Sequence, residues 1–125
     1  MMSIQRHNYD ALGIPIGPYV HAVAHQNMLY TSGLTAFGTP AEQGGIDDQA
    51  LAIMTQLKLM ADQQGSSLSQ LIKVTIFVTD LSNVDKLRTF LFEYYGDSLP
   101  ASSLVKVEAL FAPSLLIEIE AIIGI

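Results

Sequence analysis

The apolar residues of this 125-residue chain repeat with two periods, and the changes between them mark the predicted elements. The stretches YVHAVAH (19–25) and MLYTSG (28–33) read as two strands of a hairpin turning at Gln26-Asn27. The pattern then changes to helical spacing in IDDQALAIMTQLKLMADQQG (46–65), where Ala50, Ile53, Met54, Leu57, Met60 and Ala61 share one face. Asp47 and Asp48 stand where the helix dipole favours negative charge, Gly65 is placed to stop the helix, and the methionines on the apolar face read as core filler.

Period two returns in LIKVTIFVT (71–79), with Ile72, Val74, Ile76 and Val78 on one face. A second helix is predicted in SNVDKLRTFLFEYYG (82–96), opened by a capping box from Ser82 to Asp85, carried by Val84, Leu87, Phe90, Leu91, Tyr94 and Tyr95, and ended by Gly96. Two more strands follow. In SLVKVEALF (103–111), Val105, Val107 and Ala109 face one way, while Leu104, Lys106 and Glu108 face the other together with Ser102. In LLIEIEAIIGI (115–125), Leu115, Ile117, Ile119, Ala121 and Ile123 share a face opposite Leu116, Glu118, Glu120 and Ile122. The order β-β-α-β-α-β, with a short extra strand near residues 4–7, predicts an α+β domain over residues 1–125, a mixed sheet carrying both helices on one side.

Composition changes this picture in one respect. Half the residues are apolar and only 14% are charged, which is more apolar surface than a small monomer hides. An oligomer whose subunits cover one another's sheet faces is expected; a poorly soluble monomer is the alternative. The net charge of −6 and six scattered basic residues argue against nucleic-acid binding. The absence of cysteine excludes disulfides, thiolate metal sites and thiol nucleophiles. The N-terminal stretch is polar and no apolar run approaches membrane-spanning length, so a cytoplasmic protein without a membrane partner is expected.

Few residues carry candidate chemistry. Glu118 and Glu120 leave one strand on the same face, and a partner subunit covering them would make a desolvated acid or base. They also suit a solvated face, or pairs with Lys73 or Lys106. Tyr19, after the Gly-Pro turn, is placed to donate a hydrogen bond or to serve as an interface aromatic. Thr31, Ser32 and the Gly33 backbone offer donors to a small anion, but no nucleophile elbow surrounds the serine. His21 and His25 lie about 13 Å apart along a strand, too far to share a metal, and no metal-ligand spacing occurs elsewhere.

The stretches GPYVHAV (17–23), LYTSG (29–33), VTIFVTDLSNVDKL (74–87), PASSLVKVEAL (100–110) and IEIEAI (117–122) together resemble the reactive-intermediate deaminase (Rid, YjgF-like) family, in its order and over nearly the whole chain. Older names for that family are endoribonuclease L-PSP and translation initiation inhibitor. The resemblance implies a chorismate-mutase-like fold and a homotrimer whose sheets form a central barrel, with three small-molecule clefts between subunits. It also implies hydrolysis of 2-imino acids to 2-keto acids and ammonia without metal or cofactor. Carried over by position, Tyr19, Ser32 and Gly33 line the cleft, and Glu118 positions the attacking water.

The departure is at Ser102, where active members of the family carry an arginine that grips the substrate carboxylate with two parallel hydrogen bonds. Leu104 stands where many members have cysteine. Of the other cations, Arg6 and Arg88 read as remote, and Lys106 shares a strand face with Ser102 but lies about 13 Å along it. Three readings follow: a trimer whose cleft takes another small molecule and deaminates imines poorly, a true imine deaminase anchored through Lys106, or a non-catalytic structural or regulatory trimer. The ribonuclease reading conflicts with the acidic charge.

Overall fold

Strand pairing organises the molecule. The computed structural model describes residues 3–125 and contains a six-stranded mixed sheet. Its strands are β1 (Gln5–His7), β2 (Ala22–His25), β3 (Met28–Thr31), β4 (Leu71–Val78), β5 (Ala101–Lys106) and β6 (Ile117–Gly124). They lie in the order β1-β2-β3-β6-β4-β5. Only β4 and β5 pair in parallel, and α2 (Val84–Tyr95) makes the crossover such a pair requires. The long helix α1 (Ile46–Gln63) links β3 to β4.

Both helices cover one face of the sheet. From α1, Ala50, Ile53, Met54, Leu57, Met60 and Ala61 are fully buried; from α2, Leu87 and Leu91 join them. The sheet contributes Leu29, Val74, Ile76, Val78, Ile117, Ile119, Ala121 and Ile123 to the same core. The alternation read in the last strand therefore holds residue for residue, with Leu115 buried as well.

The turns explain several boundaries. Gln26 and Asn27 both have positive φ (51° and 65°), the backbone a tight two-residue hairpin requires although neither residue is glycine. Gly65 and Gly96, at φ 73° and 59°, follow the two helices in conformations other residues rarely adopt. At the start of α1, Asp48 Oδ2 accepts from the Gly45 N–H at 3.2 Å.

Four expectations need correction. Ile72 is not on the core face: a bulge between Leu71 and Lys73 turns Leu71 inward and leaves Ile72 exposed. No capping box joins Ser82 and Asp85. Instead Asp80 Oδ1 accepts from the Ser82 N–H at 2.9 Å, closing a 3-10 turn (Leu81–Asn83) before α2. The first hairpin strand begins at Ala22, three residues later than its pattern suggests. The fifth strand stops at Lys106, after which Val107 N–H makes one more bond to Val78 O (2.8 Å).

Among the described residues no element covers the second face of the sheet. Arg6, Val23, Tyr30 and Ile122 stand in register across β1, β2, β3 and β6, while Phe77 of β4 stands between Glu118 and Val105. Tyr30 and Val105 are among its exposed large side chains.

Candidate functional site

The residues after β3 build the site. Ser32 N–H donates to His21 O (2.9 Å) and Ser32 Oγ donates to Val20 O (2.6 Å), tying this segment to the approach of β2. Leu34 and Ile119 then exchange both backbone bonds, at 2.8 and 3.0 Å. Gly33 is held between these two anchors, directly against the Glu118 carboxylate. A β-carbon at Gly33 would lie 2.7 Å from Glu118 Cδ and 3.1 Å from its Cγ, so no larger residue fits without moving that side chain. The Gly33 N–H has no partner among the described residues and remains available as a donor.

Burial first, and then the nearby charge of Glu120, push the Glu118 carboxyl above its ordinary range. Glu118 is half-buried while Glu120 is exposed, which separates two glutamates that the sequence leaves equivalent. A carboxyl of raised basicity beside a free backbone N–H is suited to holding a water and exchanging a proton with it.

Tyr19 reaches the same place from the loop before β2. Its ring packs against Gly17, where a β-carbon would meet the ring at 2.9 Å, and it stays half-exposed. Tyr19 and Ser32 line two adjoining cavities, of about 120 Å³ and 570 Å³; Gly33 lines the smaller. The rim of the smaller carries Ile14, Ile16, Phe37 and Phe111, all exposed, with the two phenylalanine rings edge to face at 4.9 Å. The Ser32 proton is occupied by Val20 O, so the hydroxyl offers lone pairs rather than a donor, and no base stands ready to activate it as a nucleophile.

Of the expected site residues, Tyr19, Ser32 and Gly33 line one cavity, and Glu118 joins them through its contact with Gly33. Ser102 and Leu104 do not join them. They lie on the edge strand β5, in register with Val74 and Ile76, with Leu104 packed on the core. Glu118 pairs with Phe77 on β4, so Ser102 is two strands away and its side chain leaves the other face. Lys106 shares the Ser102 face and lies close enough to Asp80 to help hold that carboxyl low, an effect second to the Ser82 hydrogen bonds.

Arg6, which reads as remote in the sequence, lines the 570 Å³ cavity with Tyr19, Tyr30 and Ser32. Only the pairing of β1 with β2 brings it there, and no local motif signals that pairing. His21 is structural: its Nδ1 accepts from the Tyr9 N–H at 2.9 Å in a buried setting, and burial lowers its pKa. Among the described residues no group of three His, Asp or Glu side chains is arranged to hold a metal ion. No helix among them is long and apolar enough to cross a membrane.

The comparisons agree with this architecture. Residues 11–125 match the family model described as Endoribonuclease L-PSP. A RutC family protein from Pyrococcus horikoshii is 35% identical over 86% of this chain and 87% of its own length. A 2-iminobutanoate/2-iminopropanoate deaminase from Dermatophagoides farinae is 31% identical over 89% of this chain and 88% of its own. Among solved structures, a protein of the conserved Rid family from Yersinia pestis superposes with a TM-score of 0.87 at 26% identity, covering 98% of this chain and all of that one.

Proposed function

This chain belongs to the endoribonuclease L-PSP family, which includes the Rid and YjgF-like proteins, and on that premise we propose a homotrimer with small-molecule clefts between its subunits that hydrolyses 2-imino acids poorly. The observation that carries this reading is the split site. Glu118, Gly33, Ser32 and Tyr19 converge on one side, while the position from which an arginine would grip a 2-imino acid's carboxylate is a serine on a distant edge strand.

The trimer is supported by what one chain leaves uncovered: the second sheet face with Tyr30 and Val105, and the apolar rim of Ile14, Ile16, Phe37 and Phe111. A neighbouring subunit laid on that face would close the cleft and desolvate Glu118 further. Its edge strand β5 would bring the exposed Ser102 to the site, whereas Leu104 packs on the core of its own chain. A cytoplasmic setting is supported by the cysteine-free composition.

In the cleft, Glu118 would hold a water and take its proton, the Gly33 N–H would receive developing negative charge, and Tyr19 would orient the ligand. What is missing is a fork for a carboxylate adjacent to the reacting carbon. A charge-assisted hydrogen bond contributes about 1.5–3 kcal/mol, so losing a bidentate pair lowers turnover of a 2-imino acid at least about a hundredfold. Lys106 is a poor substitute, because it lies four residues along β5 from Ser102, stands near Asp80 and is a point charge rather than a fork.

The test is S102R. Light scattering should give three times the 13.6 kDa chain mass for both proteins. The variant should hydrolyse 2-iminobutanoate about a hundredfold faster than wild type. A trimeric S102R no faster than wild type would show that the rest of the site is not poised for this chemistry.

A further inference from the structure

Arg6 stands out once the cations are accounted for. Lys58 pairs with Asp62 (2.7 Å), Lys86 with Asp47 (3.5 Å) and Arg88 with Asp85 (3.8 Å). Arg6, Lys73 and Lys106 form no ion pair among the described residues, and of these three only Arg6 lines either of the two cavities at the site. It stands on the face it shares with Glu118, in a cavity whose other polar side chains are the hydroxyls of Tyr19, Tyr30, Thr31 and Ser32. Ser32, Thr31 and Tyr30 donate their protons to Val20 O, Ser32 O and Met28 Sδ, so the Arg6 guanidinium and the Tyr19 hydroxyl are the donors left facing this cavity; in a chain of net charge −6, an unpaired guanidinium there is a site for an anion.

We propose that Arg6 is the carboxylate anchor of this cleft, and that the ligand is a small organic acid whose carboxylate lies several bonds from its reacting carbon. This rests on the reading of the cleft as a small-molecule site.

The spacing supports the ligand class. Arg6 is in register with Val23, Val23 with Tyr30, and Tyr30 with Ile122, three strand spacings away; Glu118 lies four residues further along β6. At about 4.8 Å per spacing and about 3.4 Å per residue, the two α-carbons are about 20 Å apart. The extended side chains cover part of that distance and the ligand has to cover the rest. In a 2-imino acid the carboxylate is bonded directly to the reacting carbon, so it reaches poorly from one end to the other. A 4-oxo acid, with two methylenes between these groups, reaches further.

An edge-strand arginine also blunts edge-to-edge pairing, a role lysine fills equally well. Two variants therefore separate the roles. Titration calorimetry on the full-length protein with 4-oxopentanoate and with 2-oxobutanoate should show tighter binding of the 4-oxo acid by wild type. R6Q should weaken it by about tenfold or more without changing the oligomer mass, and R6K, a point charge in place of a fork, should fall between.

Undiminished binding by R6Q, or equal binding by R6K and wild type, would overturn the assignment of Arg6. Preference for 2-oxobutanoate would overturn the ligand class. If wild type binds neither acid while S102R hydrolyses 2-iminobutanoate, the anchor is wrong and the reading of the cleft stands.

Discussion

Gly33→Ala probes the centre of the site with one methyl group. No left-handed backbone is required at this position, so the effect comes from the contact alone. The added carbon would sit 2.7 Å from Glu118 Cδ and 3.1 Å from Cγ, inside van der Waals contact, and something has to move. Overpacking typically costs about 1–3 kcal/mol. The low end applies here, because the group displaced is the end of a flexible side chain. Against that, Gly→Ala at a compatible backbone position gains about 0.4–1 kcal/mol by restricting the unfolded chain.

The net expectation is a loss of roughly 0–1 kcal/mol in the wild-type background. With Glu118 truncated to alanine the clash disappears, and the same substitution should be neutral or stabilising. Urea denaturation of the four proteins of this cycle isolates the coupling, expected at about 1 kcal/mol. Activity should respond more strongly than stability, since displacing a catalytic group by about 1 Å costs up to about a hundredfold. If Gly33→Ala has the same effect with and without Glu118, the carboxylate does not rest on this glycine and the site is drawn wrongly.

Other outcomes follow from the same geometry. Because burial raises the Glu118 carboxyl, its protonated form favours the fold: that contribution is full below the ordinary carboxylate pKa and is lost as pH rises through the folded value. Glu118→Gln should therefore raise the melting temperature at pH 7 but not at pH 3, and thermal scans at both pH values check this. Gln49 is fully buried and joins two loops through Glu42 O (2.8 Å), Ser114 O (2.9 Å) and the Leu116 N–H (2.9 Å). Gln49→Ala leaves these groups unpaired and should cost about 3 kcal/mol in urea denaturation. The bulge in β4 makes neighbouring residues unequal: Leu71→Ala should cost about 2–5 kcal/mol and Ile72→Thr about 0.5 kcal/mol or less, the reverse of what strict alternation implies.

The parts of the fold visible in the sequence are those fixed by local periodicity. The α1 stripe, the β6 alternation and the two glycine stops each depend on neighbours within one or two turns of chain, and each stands as the pattern implies. The β4 bulge does not, because Leu71 and Ile72 are equally apolar and only pairing with Ile123 and Ile122 decides which one turns inward. The capping box fails for a related reason. Asp80, outside the motif, captures the Ser82 N–H first.

At the site, Tyr19, Ser32, Gly33 and Glu118 were legible as motifs, whereas the contact between Gly33 and Glu118 depends on the Leu34–Ile119 bridge across 85 residues of chain. Arg6 was invisible for the same reason. Its place in the cavity follows from a three-residue edge strand whose register no sequence pattern announces.

The most direct measurement is the rate at which the purified wild-type protein hydrolyses freshly generated 2-iminobutanoate to 2-ketobutyrate, against the buffer background. A rate near that background is expected, since Ser102 offers no fork to the carboxylate. A clear rate proportional to protein concentration would contradict the reading that the missing arginine marks a repurposed cleft.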